Sequence, residues 1–191
     1  MSLPGLRGVT PFQVAQEHRP EDRQLDERPI MSLKWDARFI RLAREIASWS
    51  KDRSTRVGAV IVAEDKTPSS YGYNGFPRDI DDDAAERHER PNKYDWTEHA
   101  ERNAIYNATR TGQTLMNNTI YVTHVPCPDC ARAILQVGIK RVVVDKASVS
   151  DADFQARWDE KGQFSERMFK EADVELDYTE ALSEETIRGE D

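Results

Sequence analysis

Three side chains able to bind a metal sit in two short segments: His99 in His99-Ala100-Glu101, and Cys127 and Cys130 in Pro126-Cys127-Pro128-Asp129-Cys130. One imidazole and two thiols make the ligand count of a zinc site with one position open for water, whereas closed structural sites use four protein ligands. Zinc held this way lowers the pKa of bound water to about 7. Glu101 puts a carboxylate beside that opening, placed to take the water's proton and return it to a departing amine. Attack on an amidine-like carbon with loss of ammonia is the chemistry such a set predicts. For C-x-x-C alone, a structural knuckle or a redox pair is the competing reading. His99 and Glu101 at their own helix start argue against it.

Helix starts must position these groups. Thr97 is the expected N-cap of a helix from about residue 98 to 110, stopped near Gly112, with His99 and Glu101 in its first turn. Residues two apart on a helix do not point the same way, so Glu101 is expected to face the water and not the metal. A strand over 119–124 leads into a helix over 126–138. Cys127 and Cys130, three apart at its start, project to one side, and the helix N-terminus favours their thiolates.

The remaining elements read as scaffold. Ser32 is the expected N-cap of an amphipathic helix through residue 49, whose Trp35, Phe39, Leu42, Ile46 and Trp49 form a core stripe. Residues 57–62 are a continuous apolar run suited to a central strand. Tyr71-Gly72-Tyr73-Asn74-Gly75 reads as a second strand ending in a turn, with Asn and Gly able to take positive φ. Residues 139–145 form a further strand, 151–169 a helical stretch interrupted at Gly162, and 174–178 a short edge strand. Alternating helices and strands predict an α/β fold with a mainly parallel sheet.

At 191 residues the chain suits one core. We place the main domain at 32–180, with a mobile N-terminal arm over 1–31 and a frayed acidic tail over 181–191. Residues 79–95 are an acidic, poorly periodic insertion, read as a flap or an oligomer contact. A net charge of −8 argues against a nucleic-acid partner and favours a small substrate. No apolar run is long enough for a membrane span, so a cytoplasmic location is expected, where a single C-x-x-C means metal or redox chemistry. Lys51, Arg53 and Arg56 precede the first strand, either as a solvated loop or, with Arg78, as a phosphate clamp.

The H-x-E and P-C-x-x-C pair resembles the signature of the zinc-dependent nucleobase deaminases. Lys51-Asp52, Val57-Gly58-Ala59, Gly72 through Pro77, His99 through Ile105 and Pro126 through Cys130, in that order, resemble the cytidine/deoxycytidylate (dCMP) deaminase family over roughly residues 33–145. The resemblance implies a three-layer α/β/α fold with a five-stranded mixed sheet, and conversion of dCMP to dUMP. It implies one zinc on His99, Cys127 and Cys130, with Glu101 as proton shuttle. It implies substrate contacts from Asn74 and the Ala100 backbone N–H, and a homo-oligomer, a hexamer or smaller. His88 and His124 receive no ligand role. The alternatives are a deaminase acting on tRNA adenosine, free cytosine or a pterin ring, or a catalytically silent scaffold.

Overall fold

The strand at the centre of the molecule is apolar on both faces, and both faces are covered. In the computed structural model, which describes residues 30–149 and 161–189, helix α1 (Ile30–Ser48) precedes strand β1 (Gly58–Val62) and strand β2 (Pro68–Tyr73). A 3-10 turn over Ala85–His88 and the short helix α2 (Lys93–Trp96) then lead to helix α3 (Ala100–Thr111), strand β3 (Thr119–Val122) and helix α4 (Pro128–Gln136). Strand β4 (Arg141–Asp145), helix α5 (Lys146–Val149), helix α6 (Lys161–Glu171), strand β5 (Glu175–Thr179) and helix α7 (Glu184–Arg188) follow. Of the arm expected over 1–31, residues 1–29 lie outside the described residues and 30–31 belong to α1. The start of the helical stretch expected over 151–169 also lies outside them.

The five strands form one mixed sheet in the order β2-β1-β3-β4-β5. Pairing is mixed: β1 runs antiparallel to both β2 and β3, while β3–β4 and β4–β5 are parallel, so that β1 alone runs against the other four strands. The reason is topological. β2 and β3, joined through α3, do run in one direction as a helical connection demands, but β1 lies between them and pairs with both.

Alternation along the strands sorts side chains into two cores. Ala59, Ile61, Ile120, Val122, Val142 and Val144 pack with residues of α3, α4 and α6 on one face. Val60, Val62, Tyr121 and Val143 pack against Phe39, Ile40, Ala43 and Ile46 of α1 on the other. This makes the expected three layers. Each fully buried Val or Ile contributes roughly 1.5–3 kcal/mol.

On α1 the buried stripe runs through Ala37, Phe39, Ile40, Ala43, Ile46 and Ala47, so Phe39 and Ile46 pack as expected, while Leu42 and Trp49 just past the helix are exposed. Small residues win the contact because the helix backbone lies on the sheet: a Cβ at Gly58 would fall 2.1 Å from the Ala43 carbonyl oxygen. The helix begins at Ile30, ahead of the expected cap at Ser32.

The hairpin turn is not where it was expected. The β1–β2 hairpin is closed by Asp65 and Lys66, with φ of 70° at Lys66 and the Thr67 N–H donating to Asp65 Oδ1 at 2.9 Å. Asn74 and Gly75 are not among the positive-φ residues. The chain bends at Asn74, and Gly75 exchanges two backbone hydrogen bonds with Glu98, at 3.1 and 2.9 Å. The segment expected to fray after residue 180 instead forms α7, capped by the Ser183 hydroxyl and anchored by buried Ile187. Among the described residues, no helix is long and apolar enough to cross a membrane.

Candidate active site

His99 is the N-cap of α3 and Cys127 the N-cap of α4, each with an extended backbone, so both side chains stand at helix starts without belonging to the helical spiral. Pro128 occupies the first turn of α4, where its missing N–H costs nothing. Close packing aims α3: a Cβ at Gly72 would fall 2.3 Å from the Ala104 nitrogen and 2.5 Å from the Ala100 oxygen, so β2 must carry glycine there. The Gly75–Glu98 bridge ties the residue before His99 to the end of β2. Arg102 links the two helix starts, bonding Glu98 at 2.5 Å and reaching Asp129 of α4 at 3.9 Å.

This brings His99, Cys127 and Cys130 together, with ligand atoms all within 4.8 Å of one another. His99 Nδ1 lies 3.5 Å from each sulfur. Ligands some 2.1–2.3 Å from a common tetrahedral centre stand about 3.5 Å apart, so the three atoms fit zinc and leave the fourth corner to the cleft. They are the one such cluster among the described residues.

The thiols are driven apart electrostatically. A hydrogen bond from Cys130 lowers Cys127 to about 4, with His99 assisting against the effect of burial. Cys130 is pushed up by its bond to Cys127 and by burial. A dication held between the two sulfurs would favour the thiolate form of both. His99 is raised by its hydrogen bond to Cys127.

Glu101, in the first turn of α3, is only 3% exposed. Burial raises its carboxyl, working against the nearby His99, and a group inclined to hold a proton suits a proton carrier. His99 and Glu101 both line one cleft of about 300 Å³. The two-apart spacing does not separate them, because His99 is off the helical spiral.

Asn74 and Ala100 line the same cleft. The Asn74 amide is already engaged: its oxygen accepts from the Val57 N–H at 2.7 Å and its nitrogen donates to the Thr55 carbonyl at 2.9 Å. It fixes the loop before β1. Ala100 is the first residue of α3, where helix geometry leaves the N–H without an intrahelical acceptor.

The four cations read from the sequence are not brought to the cleft. Lys51 bonds Asp82 at 2.7 Å and Asp83 at 3.2 Å, beside a separate hollow of about 80 Å³. Arg78 donates to Asn107 at 2.5 Å. Arg53 and Arg56 are exposed and outside the lining. Arg90, Lys93, Tyr94 and His124 line it instead. Lys93 is buried and bonds Asp52 Oδ2 at 2.8 Å and Ser54 Oγ at 2.6 Å. Burial acts to raise the Asp52 carboxyl, but bonds from Lys93, Thr55 and Ser54 outweigh it and hold the group at about 2. No sequence signal marked Lys93, because the insertion carries no period that would set a buried cation apart.

The insertion is ordered by ring contacts: His88 stacks on Phe76 at 4.8 Å, and the Arg87 guanidinium lies 4.3 Å over Trp96.

Comparison with known proteins agrees with this geometry. Residues 33–146 match the cytidine and deoxycytidylate deaminase zinc-binding region. An uncharacterized deaminase in the luxG 3' region of Aliivibrio fischeri is 45% identical over 146 residues, spanning 76% of this chain and 94% of that protein. The deoxycytidylate deaminase of Homo sapiens is 35% identical over 126 residues, spanning 63% of this chain and 70% of that protein. The dCMP deaminase of cyanophage S-TIM5, solved with dCMP and dUMP, superposes with a TM-score of 0.59 at 19% identity, over 81% of this chain and all of the phage protein, which is a likeness of fold. With its metal triad, buried glutamate and matched sequence, this chain belongs to the zinc-dependent cytidine and deoxycytidylate deaminase family.

Proposed function

We propose that the protein hydrolyses dCMP to dUMP and ammonia. The observation that carries the reading is the convergence of buried Glu101 and the His99-Cys127-Cys130 triad on one wall of a cleft of nucleoside size. The relatives named deoxycytidylate deaminase support the choice of substrate.

Zinc held by the triad supplies Lewis-acid activation of a water. The remaining work falls to the chain. Glu101 accepts the water's proton and delivers it to ring nitrogen N3 as the oxygen bonds to C4. It then takes the proton of the new C4 hydroxyl and passes it to the exocyclic amine, so that the C4–N4 bond breaks and ammonia leaves as C4–O becomes a carbonyl. The Ala100 N–H is placed to donate to the pyrimidine carbonyl, and Asn74 holds the rim of the cleft. Cys127 and Cys130 form no disulfide, which leaves both sulfurs available to the metal.

The test is ammonia release by the zinc-loaded protein over dCMP, CMP, deoxycytidine, cytosine, adenosine and guanine. We expect dCMP to give by far the highest kcat/KM. A higher value for adenosine, guanine or a free base would overturn the proposal.

A further inference from the structure

Arg90 lines the cleft together with His99, Glu101 and Cys127, and it is exposed. Among the described residues, no hydrogen bond or ion pair engages its guanidinium. That distinguishes it from Lys93, and its place in the lining distinguishes it from the exposed Arg53 and Arg56, which lie outside the cleft. Lys93, the second cation of the lining, is held by both Asp52 oxygens and Ser54. Lys51 and Arg78 are engaged elsewhere.

The backbone around Arg90 is ordered: the Lys93 N–H donates to Glu89 at 2.8 Å and the Tyr94 N–H to Pro91 at 3.1 Å. An ordered segment therefore presents an uncompensated positive charge to the cavity. The triad wall carries the opposite character, with two cysteines and a carboxyl. A ligand with an anion at one end and a neutral ring at the other would be turned so that its anion meets Arg90 and its ring meets the triad.

We infer that Arg90 is the residue that selects the phosphate monoester of the substrate, a specificity role the cations before β1 do not fill. The inference rests on the nucleotide reading above. A phosphate monoester carries between one and two negative charges at neutral pH, and a guanidinium can engage two of its oxygens at once.

The test compares the zinc-loaded full chain with Arg90→Gln and Arg90→Lys on dCMP and deoxycytidine. For Arg90→Gln we expect the dCMP KM to rise about 10- to 100-fold, more than kcat falls, with an equal drop in the preference for dCMP over deoxycytidine. Arg90→Lys should fall between, since it keeps the charge but loses the fork. An unchanged dCMP KM in Arg90→Gln, or equal losses on both substrates, overturns the assignment. The nucleotide reading is judged on the unaltered protein: equal efficiency on dCMP and deoxycytidine refutes that reading, and this inference with it.

Discussion

On one wall of the cleft, His99, Glu101 and Cys127 stand at helix starts whose helices are buried against the sheet. On the other, Arg90, Lys93 and Tyr94 come from the segment between β2 and α3. The first wall is positioned by packing: Ala100, Ala104, Cys130 and Ala131 are fully buried, and Gly72 admits the α3 backbone. The second is positioned by the Lys93–Asp52 pair, the Phe76–His88 stack and the Lys51–Asp82 bridge. Dense packing tolerates little displacement, and chemistry needs reacting groups in near-fixed geometry. Polar pairs and ring stacks can be exchanged one by one without unfolding a core, which suits the wall that decides what is bound.

The largest effect should come from breaking the chemical wall. Glu101→Gln should retain zinc, measured by metal analysis, and lose roughly 10²- to 10⁴-fold in kcat, the usual worth of a positioned proton carrier. Activity near that of the unaltered protein would remove Glu101 from the mechanism. Cys130→Ala, which deletes one of three ligand atoms, should lose bound zinc and activity together.

Next comes the scaffold under that wall. Gly72→Val places a branched side chain against the Ala100 and Ala104 backbone, and should destabilise by about 3 kcal/mol in denaturant unfolding. A smaller loss than that of an exposed-site substitution would mean α3 is not held as closely as its geometry requires.

The substrate wall should respond less. Lys93→Met leaves Asp52 without its cation and should cost about 2–3 kcal/mol at neutral pH. The sign of its pH dependence follows from Asp52. Its native carboxyl sits at about 2, below the ordinary 3.8, so its contribution is complete above 3.8 and is lost as the pH falls toward 2. The stability gap between the unaltered protein and Lys93→Met should therefore narrow across that window, and a gap that widened in acid would refute the pairing.

Smallest of all, Lys51→Gln removes an exposed bridge to Asp82 and Asp83. It should barely move the thermal midpoint, because exposed pairs are screened and mobile.

Much of the fold was legible because the signals are local. The apolar run before Glu64 marked a strand covered on both faces, and the helices ending near Gly112 and beginning at Pro128 carried their own stop and start residues. Helix spacing overvalued Leu42 and Trp49, since hydrophobicity says nothing of how closely a backbone can approach. The Asn74-Gly75 pair looked like a turn, but Gly75 found a partner in Glu98, which no nearby residue signals.

The sequence by itself determined the chemistry: three metal ligands and one carboxylate, set by short spacings at helix starts that survive in any fold preserving those helices. Tertiary structure decided which cations reach the cleft. Lys51 was removed by carboxylates 31 and 32 residues away, Lys93 was bound by one 41 residues away, and Arg90 was left free to face the cleft. Pairings at that range depend on where the chain folds back, and charge composition is blind to it.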